Sequence, residues 1–167
     1  MLLKVRLVKV EKRKMLSKHV SMKEGVYSTT AKRLGLDNTP TEEHVKNMEL
    51  LCEKIFEPLR KAVGGPIKIN SFYRGEKLNK AIGGSSKSQH CHGQAMDIDD
   101  KYSYMSNADM YKYIKRVLDF DQMIWEFGDD DNPDWIHVSY ISSEANRNRC
   151  LKAYRTPGSK GTKYMVI

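Results

Sequence analysis

The chain has 167 residues, a formal net charge of +8 and 40% hydrophobic residues. This length favours one compact domain, and the apolar content is sufficient for a core, which excludes a mainly disordered chain. The positive charge is concentrated at the two ends, because residues 1–18 carry +6, residues 144–167 carry +5 and residues 19–143 sum to −3. Since the middle of the chain is acidic, the net charge does not indicate a nucleic-acid-binding protein, and we expect no nucleic-acid partner.

The cysteine count and the N-terminal sequence indicate the compartment in which the protein is made. Cys52, Cys91 and Cys150 are an odd number and form no CxxC pair, which argues against a disulfide framework and against a cysteine zinc site. In residues 1–14, lysine and arginine interrupt the apolar residues, so neither a signal-peptide core nor a membrane span is present. We therefore expect a monomeric protein that is made in the cytoplasm without a signal peptide and is not stably inserted in a membrane.

The first part of the chain predicts a strand and two helices. Alternating apolar residues over 3–10 predict a short strand at a sheet edge. Residues 28–34 predict one or two helical turns that end at Gly35. Thr39 and Glu42 are spaced as a capping box with Pro40 at the first helical position. An apolar stripe then predicts a longer helix that stops at Gly64-Gly65; the stripe consists of Val45, Met48, Cys52, Ile55 and Leu59.

The second part of the chain alternates strands with polar loops. Ser106, with Asp109 three residues later, predicts the capped start of an amphipathic helix that extends to Val117. A loop rich in glycine and serine follows the strand predicted over residues 66–73, and its composition is typical of a loop that forms a site. We predict an α+β domain in which helices pack on one side of a small, mainly antiparallel sheet. The predicted strands are residues 66–73, 94–99, 122–127, 135–140 and, at the end of the basic tail, 164–167.

Candidate metal ligands lie in two separate segments, around His90 and around His137. Two histidines and one carboxylate are a common zinc ligand set, and His90, Asp97 and His137 provide it. Gly93 permits a tight turn between the first two ligands, and Ala95 leaves room for an ion on the same strand face as Asp97. These residues predict a zinc site assembled from two parts of the chain.

A hydrolytic zinc site also needs a group that takes a proton from water. Asp134 lies three residues before His137 and is therefore a candidate base. Strict strand alternation would place these two side chains on opposite faces, so this role requires that the strand begin after Asp134 or contain a bulge there. Pro133 is consistent with such a strand start.

Three motifs together resemble the M15 family of zinc peptidases, the group of D-alanyl-D-alanine carboxypeptidases and L-alanyl-D-glutamate endopeptidases that act on bacterial peptidoglycan. Residues 88–97 match S-x-H-x-x-G-x-A-x-D, and residues 135–137 match W-x-H. Upstream, residues 71–74 match S-x-Y-R, followed by L-N-x-A-x-G-G at residues 78–84. The motifs occur in the expected order, and the resemblance extends over about residues 28–140.

The resemblance implies a fold of the hedgehog and DD-peptidase type and a role for each matching residue. His90, Asp97 and His137 would bind Zn²⁺, and an acidic residue just before the last histidine would be the base. Arg74 would face the substrate, where its forked donors suit a carboxylate or an oxyanion. The neighbouring motif residues are candidate substrate-binding residues; they are Tyr73, Ser88 and Gln89.

Two site assignments stay open at the level of sequence. Glu126 lies where family members often have an aromatic residue and a glycine, so it is a rival to Asp134 as the base. We prefer Asp134 because it is closer in sequence to His137. His92 would share a strand face with His90, but a polar loop histidine is the simpler interpretation than a fourth ligand.

The predicted function is a zinc metallopeptidase that hydrolyses the peptide stem of peptidoglycan with activated water. Residues 1–167 would form a single zinc peptidase domain with basic N- and C-terminal extensions. Without a signal peptide, the enzyme would reach the cell wall as a phage or prophage lysin does, through a membrane lesion made by another protein. The alternative is a non-catalytic, zinc-stabilised module that binds the cell wall or forms part of a virion.

Overall fold

The computed structural model describes residues 14–167, so the strand predicted over residues 3–10 lies outside the described residues. Within residues 14–167, six strands form one sheet in the order β1-β2-β4-β3-β5-β6. All neighbouring pairs are antiparallel except β3 and β5, which are parallel. The predicted α+β fold with a mainly antiparallel sheet is confirmed. The strands are β1 (Lys68–Ser71), β2 (Ala95–Asp99), β3 (Gln122–Glu126), β4 (Trp135–Ser139), β5 (Arg149–Tyr154) and β6 (Lys163–Val166).

The helices are short, and two of them are joined into one longer helix. A π-helical turn, Cys52–Phe56, connects the α-helices Glu42–Leu51 and Glu57–Val63 without a break. A 3₁₀ turn, Gln89–His92, precedes β2. None of the helices within residues 14–167 is long and apolar enough to cross a membrane. The α-helices are α1 (Met22–Gly25), α2 (Thr29–Leu34), α3 (Glu42–Leu51), α4 (Glu57–Val63), α5 (Glu76–Ala81) and α6 (Asn107–Val117).

The start of α3 differs from the predicted capping box. The N-cap is Thr41, whose side chain accepts a hydrogen bond from the backbone of His44, and the His44 side chain closes the box. Thr39 donates its hydroxyl proton to Asp37 instead, at 2.6 Å. A histidine ring nitrogen accepts a backbone N–H as a glutamate oxygen does, so a pattern restricted to Glu and Gln misses this cap. The predicted end at Gly64 is confirmed, since Gly64 adopts a left-handed conformation with φ 74°.

The two faces of the sheet have different surroundings. One face packs against α3, the π-helical turn and α6 and forms the core, to which Met96, Met123 and Val138 contribute from the strands. Because side chains alternate along a strand, the neighbouring positions Asp97, Ile124 and His137 project from the opposite face. The helices therefore bury one face and leave the face with the candidate ligands accessible.

Two helices and one strand were missing from the sequence prediction, and the first of them is α1 (Met22–Gly25). Helix α5 lies within the segment predicted as a loop, and β5 lies in the basic tail for which only a last strand was predicted. Strand β5 begins at the exposed Arg149 and includes Lys152, so its apolar alternation is interrupted by cations. The last strand is observed as β6, and three of the six basic residues in 144–167 belong to the sheet, namely Arg149, Lys152 and Lys163.

Candidate active site

Three candidate ligands meet on the open face of the sheet. Asp97 and His137 are directly opposite each other on β2 and β4. His90 comes from the 3₁₀ turn, which ends at Gly93 in a left-handed conformation with φ 69° and leads into β2. One ligand atom from each of the three side chains lies within 4.8 Å of the other two. The fold thus brings together residues that are 47 positions apart in the sequence.

The orientation of His90 is determined by a hydrogen bond to the backbone. Its Nδ1 lies 2.6 Å from the carbonyl oxygen of Phe72, which can only accept, so Nδ1 carries the proton and donates. The other nitrogen, Nε2, is then unprotonated and faces Asp97 at 3.3 Å. Burial lowers the pKa of His90, which keeps the imidazole neutral. A neutral, oriented imidazole is the form that binds a metal ion.

Asp97 is held as a carboxylate between the two histidines. Its Oδ1 lies 3.0 Å from Nδ1 of His137 and 3.3 Å from Nε2 of His90. Burial alone would raise the pKa of Asp97, but the two histidines outweigh it and hold the pKa well below its usual range. Two imidazoles and one ionised carboxylate fit a divalent metal ion, and His90, Asp97 and His137 are the residues that could hold it.

The trio lines a cleft of about 750 Å³ that also contains Glu126. Glu126 ends β3 opposite Trp135, and only 8% of it is exposed. Burial raises the pKa of Glu126 to about 7, with a further increase from the Asp97 carboxylate and an opposing effect from His137 and Arg74. A carboxyl group that exchanges its proton near neutral pH is suited to general acid–base catalysis.

Strand β4 begins directly after Asp134, which meets one of the two conditions set from the sequence, but Asp134 does not line the cleft. It is exposed, it precedes β4, and it is not among the residues that line the cleft. Its backbone N–H donates to the carbonyl oxygen of Glu126 at 2.9 Å, which places the two residues on adjacent strand ends. Asp134 is not part of β4, which begins at the next residue. The pairing of β4 with β3 is regular and contains no bulge that would turn Asp134 toward His137.

The predicted substrate-binding residues divide into two groups. Arg74, Ser88 and Gln89 line the cleft. The Nη2 of Arg74 donates to the Ser88 hydroxyl at 3.4 Å, whereas its buried Nε has no hydrogen-bond partner among the described residues. Tyr73 instead points into the core, with only 5% of it exposed and its hydroxyl 3.2 Å from Nδ1 of His44. Strand-like alternation through residues 73 and 74 explains why only the arginine reaches the cleft.

His92 lies outside the trio. Residues 89–92 form a 3₁₀ turn and not a strand, so His90 and His92 do not share a face. The His92 ring is exposed and contacts His44, with 6.1 Å between the ring centroids. This geometry agrees with the simpler interpretation of His92 as a loop residue.

Sequence reasoning did not identify the part of the cleft that comes from the C-terminal strands. The cleft is also lined by the residue after β3 and by residues in or next to the last two strands; they are Phe127, Arg149, Leu151, Arg155 and Tyr164. Burial raises the pKa of the Tyr164 phenol, and the nearby carboxylates of Glu126 and Asp97 raise it further. No motif indicated these residues, because the pairing of β5 with β3 brings them to the site from outside the motif-bearing region.

The match to a family model covers most of the chain. The family described as Peptidase M15 matches residues 18–139. The chain belongs to the peptidase M15 family. This M15 peptidase has no match among the curated proteins. The matched region contains His90, Asp97, His137, Glu126 and Arg74, so the family confirms the resemblance stated from the motifs and assigns peptidase activity to the chain. Strands β5 and β6 lie beyond the matched region.

Proposed function

We propose that this M15 peptidase is a zinc enzyme that hydrolyses the peptide stem of bacterial peptidoglycan, with Glu126 as the general base. The observation that carries the proposal is one cleft in which two histidines, one ionised aspartate and a buried glutamate with a raised pKa lie together. Such a combination of a metal ligand set and a proton-transfer group is what hydrolysis by activated water requires.

The ligand set favours zinc over the harder divalent cations. Imidazole nitrogens suit zinc, whereas calcium and magnesium prefer oxygen ligands only. Three protein ligands match the number found in catalytic zinc sites, which keep a further position open for water or substrate. When bound, zinc supplies a Lewis acid that lowers the pKa of a water molecule and polarises the scissile carbonyl group.

Glu126 would transfer the proton during hydrolysis. Its carboxylate takes a proton from the attacking water and then gives that proton to the nitrogen of the leaving amine. A pKa of about 7 makes both steps accessible at neutral pH. We therefore favour Glu126 over Asp134 as the base, because Glu126 lines the cleft and Asp134 is exposed outside it.

Arg74 would bind the substrate beside the metal ligands. Its backbone N–H donates to the carbonyl oxygen of His90 at 3.2 Å, which links it to the ligand-bearing turn. Within residues 14–167 its guanidinium group makes one long hydrogen bond, to Ser88, so further donors are available to a carbonyl oxygen or to a carboxylate. In the mechanism Arg74 stabilises the negative charge that develops on the scissile carbonyl oxygen.

The proposal that peptidoglycan is the substrate rests on the M15 resemblance and on the positive charge of the cleft and of the chain ends. Stem peptides and wall polymers are anionic, and the cleft is lined by several cationic residues, namely Arg74, Lys87, Arg147, Arg149 and Arg155. The basic ends of the chain would strengthen wall binding through the same attraction. The protein would act there as a monomer, after release through a membrane lesion of the kind that phage holins make.

The test is digestion of purified peptidoglycan, with the fragments analysed by mass spectrometry. We expect new amine termini with zinc and none after chelation and dialysis, with restoration on addition of zinc. The mass of the fragments separates carboxypeptidase cleavage, which releases single D-alanine, from endopeptidase cleavage, which releases larger peptides. Lys163→Gln, which removes one exposed positive charge outside the cleft, is the matched control for Arg74→Gln.

The same experiment addresses the alternative of a non-catalytic wall-binding or virion module. Such a protein binds zinc and sediments with peptidoglycan but releases no fragments. Zinc bound at one equivalent, together with an absence of new amine termini under all conditions, would replace the proposed enzyme with this alternative.

A further inference from the structure

We propose that Arg155, supported by the ring of Phe127, forms a carboxylate-binding subsite at the end of the cleft and that this subsite selects the peptide substrate. The inference rests on the proposed peptidase function and adds a specificity determinant to it. The subsite is built partly by β5 and the residue after it, which lie beyond the region that matches the M15 family.

The backbone at Phe127 provides the first observation. Phe127 has φ 54°, a left-handed conformation that a bulky residue rarely adopts, and Gly128 follows with φ 66°. In a regular strand, Phe127 would point away from the face that carries Glu126. The left-handed turn instead lets both successive side chains line the cleft. Unfavourable backbone conformations of this kind are retained where the surroundings or the function require them.

Gly128 shows that the turn is tightly specified. A Cβ atom at this position would lie 2.2 Å from the carbonyl oxygen of Asn132 and 2.8 Å from the Cα of Pro133. The turn after β3 therefore accepts only glycine there, and the backbone of Phe127 is held by a hydrogen bond to the carbonyl oxygen of Ala153 at 3.2 Å. These contacts constrain the backbone from which the Phe127 side chain extends.

The ring of Phe127 supports a cation. The guanidinium carbon of Arg155 lies 4.4 Å from the centre of the ring, in the geometry of a cation–π contact. The same ring also contacts the tilted ring of Trp135, with 5.5 Å between centroids. Stacking orients the planar guanidinium group and leaves its edge free, which suits bidentate binding of a carboxylate.

Arg155 and Arg149 differ from Arg147 and Lys152 because no acidic side chain within residues 14–167 pairs with them, and Arg155 also lies over the Phe127 ring. Arg147 pairs with Asp121 at 2.7 Å, and Lys152 pairs with Asp130. Within residues 14–167, no acidic side chain forms an ion pair with Arg155. An oriented and unpaired guanidinium group that lines a substrate cleft indicates an anionic ligand.

The position along the cleft indicates a carboxylate remote from the bond that is cut. From strand spacing and rise, the Cα atoms of Arg155 and His137 lie roughly 16 Å apart, a distance that an extended peptide covers in a few residues. Stem peptides carry carboxylates both at the C-terminus and on the D-glutamate residue. The subsite would bind one of these groups while the scissile bond lies near His137.

The test combines changes in the protein with changes in the peptide. The probes are a synthetic stem pentapeptide with free carboxylates, the same peptide amidated at the C-terminus and the same peptide amidated at D-glutamate. Binding to the metal-free protein is measured by calorimetry for the wild type, Arg155→Gln, Arg155→Lys and Lys163→Gln. Lys163 is an exposed lysine on β6 that does not line the cleft, so it is the matched control for loss of one positive charge.

We expect Arg155→Gln to weaken binding of the free peptide roughly ten-fold and Arg155→Lys to recover only part of that loss. One of the two amidations should weaken wild-type binding to the same extent and cause no further loss in Arg155→Gln. With zinc present, Arg155→Gln should raise KM and change kcat little, because the subsite is remote from the reacting atoms.

Two results would overturn the subsite: equal binding of all three peptides by the wild type, or the same loss for Lys163→Gln as for Arg155→Gln. Failure of the peptidase function itself has a different signature, since the wild type would then release no amine termini from peptidoglycan. Absence of measurable binding of the free peptide by the wild type also counts against the subsite, whatever the result of the digestion.

Discussion

Asp97 and His137 face each other across β2 and β4, with Oδ1 of the aspartate 3.0 Å from Nδ1 of the histidine. Their backbones are neighbours in the sheet, so their relative position depends on strand pairing and not on a flexible loop. His90 completes the group from a 3₁₀ turn that is tied to Phe72. Rigid placement of ligands on paired strands is what a preorganised metal site requires.

Removal of one ligand should abolish stabilisation by zinc. We expect zinc at one hundred times its dissociation constant to stabilise the wild type by about 2.7 kcal/mol and to raise its Tm. His137→Ala should lose this response, because only two ligands remain. The control is His92→Ala, since the exposed His92 lies close to the site in sequence but outside the trio. Thermal unfolding with and without zinc measures the effect, and an equal shift in both variants would contradict the assigned ligands.

The two candidate bases can be separated by isosteric substitutions. Glu126→Gln should lower kcat by roughly 10²–10⁴-fold while zinc binding is retained, because the amide cannot take a proton from water. Asp134→Asn should retain turnover close to that of the wild type, since Asp134 is exposed outside the cleft. Steady-state kinetics with metal analysis of each variant is the measurement. The opposite pattern would identify Asp134 as the base.

Gly93 should be essential for the ligand-bearing turn. Its φ is +69°, and an added Cβ would lie 2.5 Å from the carbonyl oxygen of His44 and 2.7 Å from Cγ of Met48. Gly93→Ala therefore combines a left-handed alanine, which costs roughly 1–2 kcal/mol, with a backbone clash. We expect it to lower the free energy of unfolding and to weaken zinc binding, because the turn carries His90.

The matched control for this prediction is Gly35→Ala. Gly35 is also left-handed, with φ +62°, but within residues 14–167 no atom beyond its adjacent residues lies within 4 Å of an added Cβ. Its loss of stability should be limited to the conformational cost, and its zinc affinity should remain that of the wild type. Chemical denaturation and zinc titration of both variants compare their free energies of unfolding and their zinc affinities. Equal losses of stability in the two variants would contradict the expected cost of the clash at Gly93.

Asp121 should contribute to the acid sensitivity of the fold. Burial would raise its pKa, but hydrogen bonds from Arg147 and Gln89 outweigh burial and hold the pKa below its usual value. A carboxyl group whose pKa is lowered by folding contributes stability at neutral pH, and that contribution is lost as the pH falls through the lowered pKa. The free energy of unfolding should therefore decrease with falling pH below about 4.

Asp121→Asn tests this dependence. The variant should be less stable than the wild type by about 1–3 kcal/mol at pH 7, because the fully buried side chain loses its charged hydrogen bonds. Below about pH 4 the two curves should approach each other, because the wild type loses this contribution progressively as the pH falls through the lowered pKa of Asp121. Denaturant unfolding across a pH series measures both, and parallel curves over the whole range would contradict the role of Asp121.

Local patterns predicted many elements well. Ser106 caps α6 by accepting from the backbone N–H of Asp109, as its spacing indicated, and Gly64 ends α4. These features depend on a few neighbouring residues and their backbone conformations. The sequence predicted Thr39 as the cap of α3, whereas the structure uses Thr41. Both threonines precede the helix with plausible spacing, and only the fold determines which backbone N–H groups are free to be capped.

The candidate ligands that the fold brings together could be predicted from the sequence, because ligand types and motif spacing are properties of the chain. The identities of His90, Asp97, His137 and Arg74 as candidates required no coordinates. The choice between Glu126 and Asp134 depended on the tertiary structure, since distance along the chain does not give distance in space. Strand alternation places Glu126 on the face of the ligands, and the start of β4 leaves Asp134 exposed.

The sequence by itself determined the family, the α+β class and the residue types that can bind a metal ion, because short motifs and local periodicity encode them. The tertiary structure alone decided which acid shares the cleft with the ligands, that Tyr73 belongs to the core, and that Arg155 and Tyr164 line the site. Those outcomes depend on the pairing of β5 with β3 and of β6 with β5. Such long-range pairing is selected by the packing of the whole sheet, and no local segment of the chain specifies it.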